Sequence, residues 1–205
     1  MSAIAAPNVP TRPVLADALP GSRAVADAAA ILGGVGLTAL LAQVAFTIPP
    51  SPVPVTGQTL AVGLVGATLG ARRGMASLVL YALLGLLLPI YAEGAHGWSV
   101  VWGASGGYIV GFVFAAGAIG WLAARGADRH VAAAFAAFVV GQLLVFAFGL
   151  AGLKIAVAES WGWTIHNGFS IFIVGGIIKA LIGAAALPSA WRLVGRLDGI
   201  QRPRG

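Results

Sequence analysis

The sequence predicts an all-α integral membrane protein: a bundle of six transmembrane helices with both termini in the cytoplasm. Three observations carry that prediction. Of 205 residues, 59% are hydrophobic and 9% are charged, and the mean hydropathy is +0.94, whereas soluble domains carry about 25% charged residues. Six apolar runs succeed one another, each near the length that crosses a bilayer. Basic residues fall almost entirely in alternate connections, the pattern that sets orientation in membranes. Glycine strengthens the reading, since 30 of 205 residues is twice the usual share of about 7%. Small residues let helices approach closely in lipid, where apolar burial gives no drive between them.

Residues 1–27 hold Arg12, Asp17, Arg23 and Asp27 but no apolar core of the signal-peptide kind. They are expected to form a flexible cytoplasmic tail. The spans are expected at 28–46, 55–71, 75–91, 100–124, 131–153 and 169–191. The membrane domain is therefore 28–191, with a basic cytoplasmic tail after it at 192–205. The second and third runs are short for straight crossings, which fits tilted or partly interfacial helices. Between the first two runs lies PPSPVPVTGQT (49–59), with prolines at 49, 50, 52 and 54. Proline removes a backbone donor and pushes the preceding residue towards extended geometry, so this segment is not helix. It ends in three hydrogen-bonding side chains, Thr56, Gln58 and Thr59.

Ten arginines (12, 23, 72, 73, 125, 129, 192, 196, 202 and 204) fall on one side of this arrangement. The opposite connections (47–54, 92–99 and 154–168) offer only Lys154. By the positive-inside rule the arginine side faces the cytoplasm. The proline-rich stretch, YAEGAHGW (91–98) and KIAVAESWGWTIHNGF (154–169) then lie outside. They bring Glu93, Glu159, His96, His166, Asn167 and three of the six tryptophans. Tryptophan at such a boundary ordinarily forms an interfacial belt. The polar, aromatic outer face is nonetheless the better place for an external ligand.

Composition also excludes. Without cysteine there are no disulfides and no thiolate metal sites, and three scattered histidines make no metal centre. A pI near 10.8 comes with no basic stripe interleaved with aromatics, so nucleic acid is not a partner. The chain lacks G-x-x-x-x-G-K-[ST], hence has no ATPase of its own. No resident cofactor is implied.

Lys179, in GGIIKALIGAAALP, is the one charge well inside an apolar run, 10 and 12 residues from the two ends of the expected sixth span. An ammonium at that depth costs at least about 2.5–3.5 kcal/mol and is too far from either surface to snorkel. It should face the bundle interior and meet a polar cavity or an anionic ligand. WGASGGYIVGF (102–112) is the second constellation. Its glycines, Gly107 among them, bare one helix face, from which Ser105 and Tyr108 project. The segment also fits the Gly-x-Ser-Gly motif of rhomboid intramembrane proteases, with His166 as the available base. A serine nucleophile needs that base within hydrogen-bond reach, and no helix supplies an oxyanion hole. On the first helix, Ala26, Ala30, Gly34, Thr38 and Ala42 repeat at four-residue spacing, which supports close approach of another helix.

Three segments in order, the stretch from IPPSPVPVTGQT through to YAEG, then GASGGYIVGF, then FIVGGIIKA, together resemble the BioY family. These are the biotin-binding S components of energy-coupling factor (ECF) vitamin transporters. The resemblance runs from about residue 38 to 187. It implies six helices around a vitamin pocket that opens outward in the plasma membrane. It also implies a transmembrane coupling protein and two ATP-binding cassette ATPases as partners, docked partly through helix 1. Lys179 matches the lysine of the family's Gly-Asp-x-x-Lys motif, and Tyr108 the tyrosine of its Gly-Gly-Tyr motif. Three departures stand out. Gly176 replaces the acid before the lysine and Val174 the preceding proline. Ala104-Ser105 replaces Pro-Thr, and Glu93-Gly94 stands where relatives often carry Gly-Gly. Glu93 or Asn167 is the expected substitute for the missing acid.

The expected site therefore comprises Lys179, Tyr108, Gln58, Thr56, Ser105, Glu93, Asn167 and Gly107, with biotin as ligand and no catalytic role. Biotin is a small acid with an apolar chain and a polar bicyclic head. A lysine can take its carboxylate, aromatic rings its body, and hydroxyl or amide groups its head. The alternatives are another vitamin or dethiobiotin on the same scaffold, and the rhomboid-like protease through Ser105.

Overall fold

The computed structural model describes residues 13–18 and 22–201, with side chains as far as 194. Its helices are α1 (Arg23–Ala42), α2 (Gln58–Leu84), α3 (Trp98–Val101), α4 (Gly106–Ala123), α5 (Val131–Val157), α6 (Trp161–Gly168) and α7 (Ile173–Gln201). Single 3-10 turns lie at Leu15–Ala18, Ala92–Gly94, Ala127–Arg129 and Ser170–Phe172. Two strands of two residues, β1 (Ala45–Phe46) and β2 (Val55–Thr56), pair antiparallel. Among the described residues, four stretches are long and apolar enough to cross a membrane: Arg23–Ala42, Gly106–Ala123, Val131–Val157 and Trp161–Val194.

α2 is two helical arms, not one rod. At Gly70 the backbone takes φ 81° and ψ 174°, a left-handed-side conformation that costs glycine little. The chain folds back there. Gln58 Nε2 donates to the Tyr81 hydroxyl at 2.7 Å, although 23 residues of straight helix would separate them by about 35 Å. Likewise a Cβ on Gly74 would sit 3.2 Å from the Gly66 Cα. The expected second and third runs fall on the two arms, 58–69 and 71–84, and the second arm stops early. Residues 85–91 turn instead, with Gly85 packed directly under the Tyr91 ring and Pro89 unable to continue a helix.

Other expected boundaries also move. α1 begins at Arg23, so residues 23–27 belong to the bundle and not to a tail. Residues 13–18 pack on it too: Val14 is buried beside Gly70, and Arg129 Nη2 donates to the Pro13 carbonyl at 3.2 Å. Arg73 bridges Asp17 (2.7 Å) and Asp27 (2.8 Å). Burial works to raise the Asp17 pKa, but the Arg73 hydrogen bond and charge and the Val14 amide outweigh it and hold the carboxyl below its ordinary value. At the other terminus α7 runs on to Gln201, so most of the expected 192–205 tail is helix, and 202–205 lie outside the described residues. The connection expected at 154–168 contains the last turn of α5 and all of α6, which starts where Ser160 Oγ accepts from the Trp163 amide at 3.2 Å, an N-cap.

The small-residue face of α1 is used internally. Ala30, Gly34, Thr38 and Ala42 are buried, and Ser77 of α2 donates to the Ile31 carbonyl at 2.7 Å. α2, α4 and α5 stack with backbones nearly touching. A Cβ on Gly66 would lie 2.6 Å from the Ala116 carbonyl oxygen, and one on Gly107 would lie 3.0 Å from the Gly152 Cα. The glycine excess therefore goes into helix contact, as expected of lipid-embedded bundles.

Candidate functional site

The proline-rich segment is a packed cover. β1–β2 pairing (Ala45 with Thr56, Phe46 with Val55) closes its base. Ser51 Oγ donates to the Asn167 carbonyl of α6 at 2.8 Å, and Val53 and Val55 are buried. Beneath it lies a cavity of about 230 Å³. Pro52, Pro54 and Thr56 form one wall, Gln58 and Thr59 of α2 the next. Tyr91 and Glu93 come from the loop after α2, Ser105, Tyr108 and Phe112 from α3–α4, and Gln142 and Phe146 from α5. Phe172 and Lys179 close it from α7. The lining is mostly apolar and aromatic with a few polar groups, the usual make-up of a small-molecule pocket.

Most polar groups here hold the walls together. Lys179 Nζ donates to the Thr56 carbonyl at 2.8 Å, which ties α7 to β2. It sits six residues from the start of α7, about 9 Å along the helix. It is therefore nearer one end than the expected span implied, because α6 and a 3-10 turn occupy residues counted as span. The Thr56 hydroxyl donates to Gln58 Oε1 at 3.0 Å, and Gln58 Nε2 is spent on Tyr81. Tyr108 donates to the Gly168 carbonyl at 2.7 Å and offers the cavity its ring. Tyr91 donates to the Ala82 carbonyl at 2.6 Å, and burial pushes its phenol pKa up. Glu93 is exposed and accepts from Thr47 at 3.2 Å, so it stands at the mouth.

Of the eight expected site residues, six line the cavity: Lys179, Tyr108, Gln58, Thr56, Ser105 and Glu93. Gly107 instead faces α5, where it permits the Gly152 contact. Asn167 is buried in α6, donating to the Trp163 carbonyl at 3.0 Å, and is not part of the lining. Among the described residues no hydrogen bond joins Ser105 to His166, which is exposed on α6. Among the lining residues outside the expected set, Thr59 and Gln142 carry unpaired polar groups. Thr59, noted only as part of the cover, has a buried hydroxyl with no partner. Gln142 stands in VVGQLLVF as a lone amide in the middle of an apolar run, and that isolation was its signal. Gly176, where the BioY pattern has an acid, is buried against it: a Cβ there would overlap the Gln142 amide nitrogen.

A long-helix bundle with a covered, lysine-bearing cavity defines a membrane protein that binds a small ligand within its helices. The comparisons narrow the class. The BioY family model matches residues 12–196, and this chain belongs to the BioY family. The biotin transporter BioY2 of Lactococcus lactis subsp. cremoris is 35% identical over 150 residues, covering 73% of this chain and 81% of the relative. The biotin transporter BioY of Rhizobium etli is 34% identical over 165 residues, 72% and 87% respectively. In fold, the chain is similar to the crystal structure of the S-component for biotin from an ECF-type ABC transporter. The TM-score is 0.77 at 20% identity, over 85% of this chain and 95% of that one.

Proposed function

We propose that this protein is the substrate-binding membrane subunit of a biotin uptake system. It takes biotin from outside the cell into the cavity and releases it inward, driven by ATPases of an ECF complex. The observation that carries the reading is Lys179, an ammonium in a covered and otherwise mostly apolar cavity of a BioY-family chain. Its Thr56 hydrogen bond leaves donors free for a carboxylate. Tyr108, Phe112, Phe146 and Phe172 suit an apolar chain and ring system. The protein is a transporter subunit, not an enzyme. Among the described residues no hydrogen bond joins Ser105 to a base.

In this reading the chain crosses the plasma membrane six times, through α1, the two arms of α2, α4, α5 and α7, with both termini cytoplasmic. The clustering of Arg72, Arg73, Arg125, Arg129 and Arg192 at the end away from the cavity supports that orientation. The partners are a transmembrane coupling protein and two ATPases. With the small-residue face of α1 packed on α2, docking through α1 would use its other face, where Leu32 and Leu40 are exposed.

Labelled biotin and the purified protein in detergent test the reading. Saturable binding that Lys179→Ala abolishes supports it, with uptake into a biotin auxotroph requiring the coupling module. No binding by the wild-type protein would overturn it.

A further inference from the structure

Gln142 is an amide placed where amides are costly. It lies eleven residues from the start of α5 and fifteen from its end, in a run otherwise apolar from Phe138 to Phe148. Among the described residues it has no hydrogen-bond partner. Gln142 is half-buried, and an unpaired amide in apolar surroundings is destabilising, so a partner is expected to arrive with the ligand. Other polar groups of the lining are already drawn into the walls: Lys179 with Thr56, Thr56 with Gln58, Gln58 with Tyr81, Tyr108 with Gly168, whereas the Thr59 hydroxyl, like the Gln142 amide, has no partner among the described residues.

Its position is held by a second residue. Gly176 and Lys179 are three apart on α7 and share a face. With no Cβ on Gly176, the Gln142 amide fills the space beside the helix that carries the ammonium. Any larger side chain at 176 would displace it. The same amide also borders a small apolar groove between α5 and α7, lined by Val139, Leu143, Ile173 and Ile177. It thus forms part of the partition between cavity and groove.

We infer that Gln142, seated against Gly176, is the specificity-determining residue for the neutral head of the ligand. Its amide offers one acceptor and two donors, the complement of a group that presents N–H and C=O side by side, such as a cyclic urea. Lys179 answers the negative charge of the ligand and Gln142 its uncharged polar end. A neutral amide admits a urea and disfavours a cationic guanidinium, which has no acceptor for the amide N–H. This inference rests on the biotin reading.

The test compares biotin with 2-iminobiotin, in which a guanidinium replaces the urea, on purified wild-type, Gln142→Leu and Gln142→Glu protein. Because a ratio of affinities measured on one preparation does not depend on the folded fraction, partial misfolding does not disguise the result. The wild-type protein is expected to prefer biotin. Both variants should move the biotin-to-iminobiotin ratio towards iminobiotin by about tenfold or more, the scale for leaving a hydrogen-bonding group unmatched. Dethiobiotin, which keeps the urea, should track biotin in every variant. A ratio within about twofold of wild type in both variants, on the same scale, would mean Gln142 merely packs, and would overturn the inference alone. Failure of the wild-type protein to bind biotin would overturn the biotin reading and the inference together.

Discussion

The two ends of the bundle are built from different side chains and do different things. At the cavity end the buried core includes Tyr81, Tyr91, Tyr108, Phe112, Phe146 and Phe172. At the Arg73 end it is Ala67, Ala123, Ala134, Ala137, Ala180 and Ala184 around Ile119, Phe138 and Leu187. Large flat rings prop helices apart and prefer edge contacts, as Phe146 and Phe169 make at 4.8 Å between ring centroids, so space remains between them. Alanine and glycine let backbones meet. Gly120 shows the limit: a Cβ there would lie 2.5 Å from the Gly70 carbonyl carbon and 2.7 Å from the Gly66 carbonyl oxygen. One end of the molecule is open because its residues are big, and the other is shut because its residues are small.

That contrast predicts that substitutions at the two ends separate binding from folding. Lys179→Ala should do the greatest damage to binding, about 30-fold or more in biotin affinity. This corresponds to the ~2–5 kcal/mol lost when one partner of a buried charge pair is removed. Circular dichroism should stay unchanged. Equal affinity in the variant would break the contrast, since it would leave the cavity without its charge. Gly120→Ala should do the reverse. Overpacking against backbone is expected to cost about 1–3 kcal/mol of stability, read as a lower unfolding temperature in detergent. The affinity of the folded fraction should stay within about threefold, because distant sites act independently.

Smaller effects sharpen the picture. Arg73→Gln removes the partner of Asp17 and Asp27. Both carboxylates are partly exposed, at 39% and 40%, so the loss should not exceed about 1 kcal/mol and should shrink in salt. The Asp17 pKa lies below its ordinary value in the folded protein. Its contribution is therefore complete above the unfolded pKa of about 3.9 and disappears as pH falls through the lower folded value. Unfolding temperatures of wild type and Asp17→Asn should differ at pH 7 and converge in acid. A gap that widens in acid would contradict the pairing. Glu93→Ala, at the exposed mouth, should alter biotin affinity by no more than about twofold, as expected of a rim charge. A tenfold loss would move the recognition site from Gln142 towards the mouth.

Much of this was legible before folding was considered. Composition and run length announced a helical membrane protein, and the proline-rich segment could be read as non-helical. Lys179 was singled out because a charge in an apolar run needs a reason. These inferences depend on chemistry that each residue carries with it. Thr56, Gln58, Ser105 and Tyr108 were found through their motifs, and all four line the cavity. Gly107 and Asn167 were selected by the same motifs and loops, but lie on the α5 contact and inside α6. The helix bounds near residues 85–91 and 154–168 also misled, because a hydropathy run does not distinguish a crossing helix from a turn or a short cap helix.

By itself, then, the sequence determined the solvent of this protein, the class of its helices, the non-helical cover and the residues whose burial demands a partner. Those properties come from transfer free energies and backbone sterics, which are local. The tertiary structure decided which of the polar groups are free. Gln58 and Tyr108 are consumed by wall-building hydrogen bonds to Tyr81 and Gly168, whereas Gln142, an inconspicuous letter in an apolar run, is left unpaired beside Gly176. Whether a polar group is spent or available depends on what stands opposite it. Here that is a residue 34 positions away on another helix, brought into contact only when α5 and α7 pack.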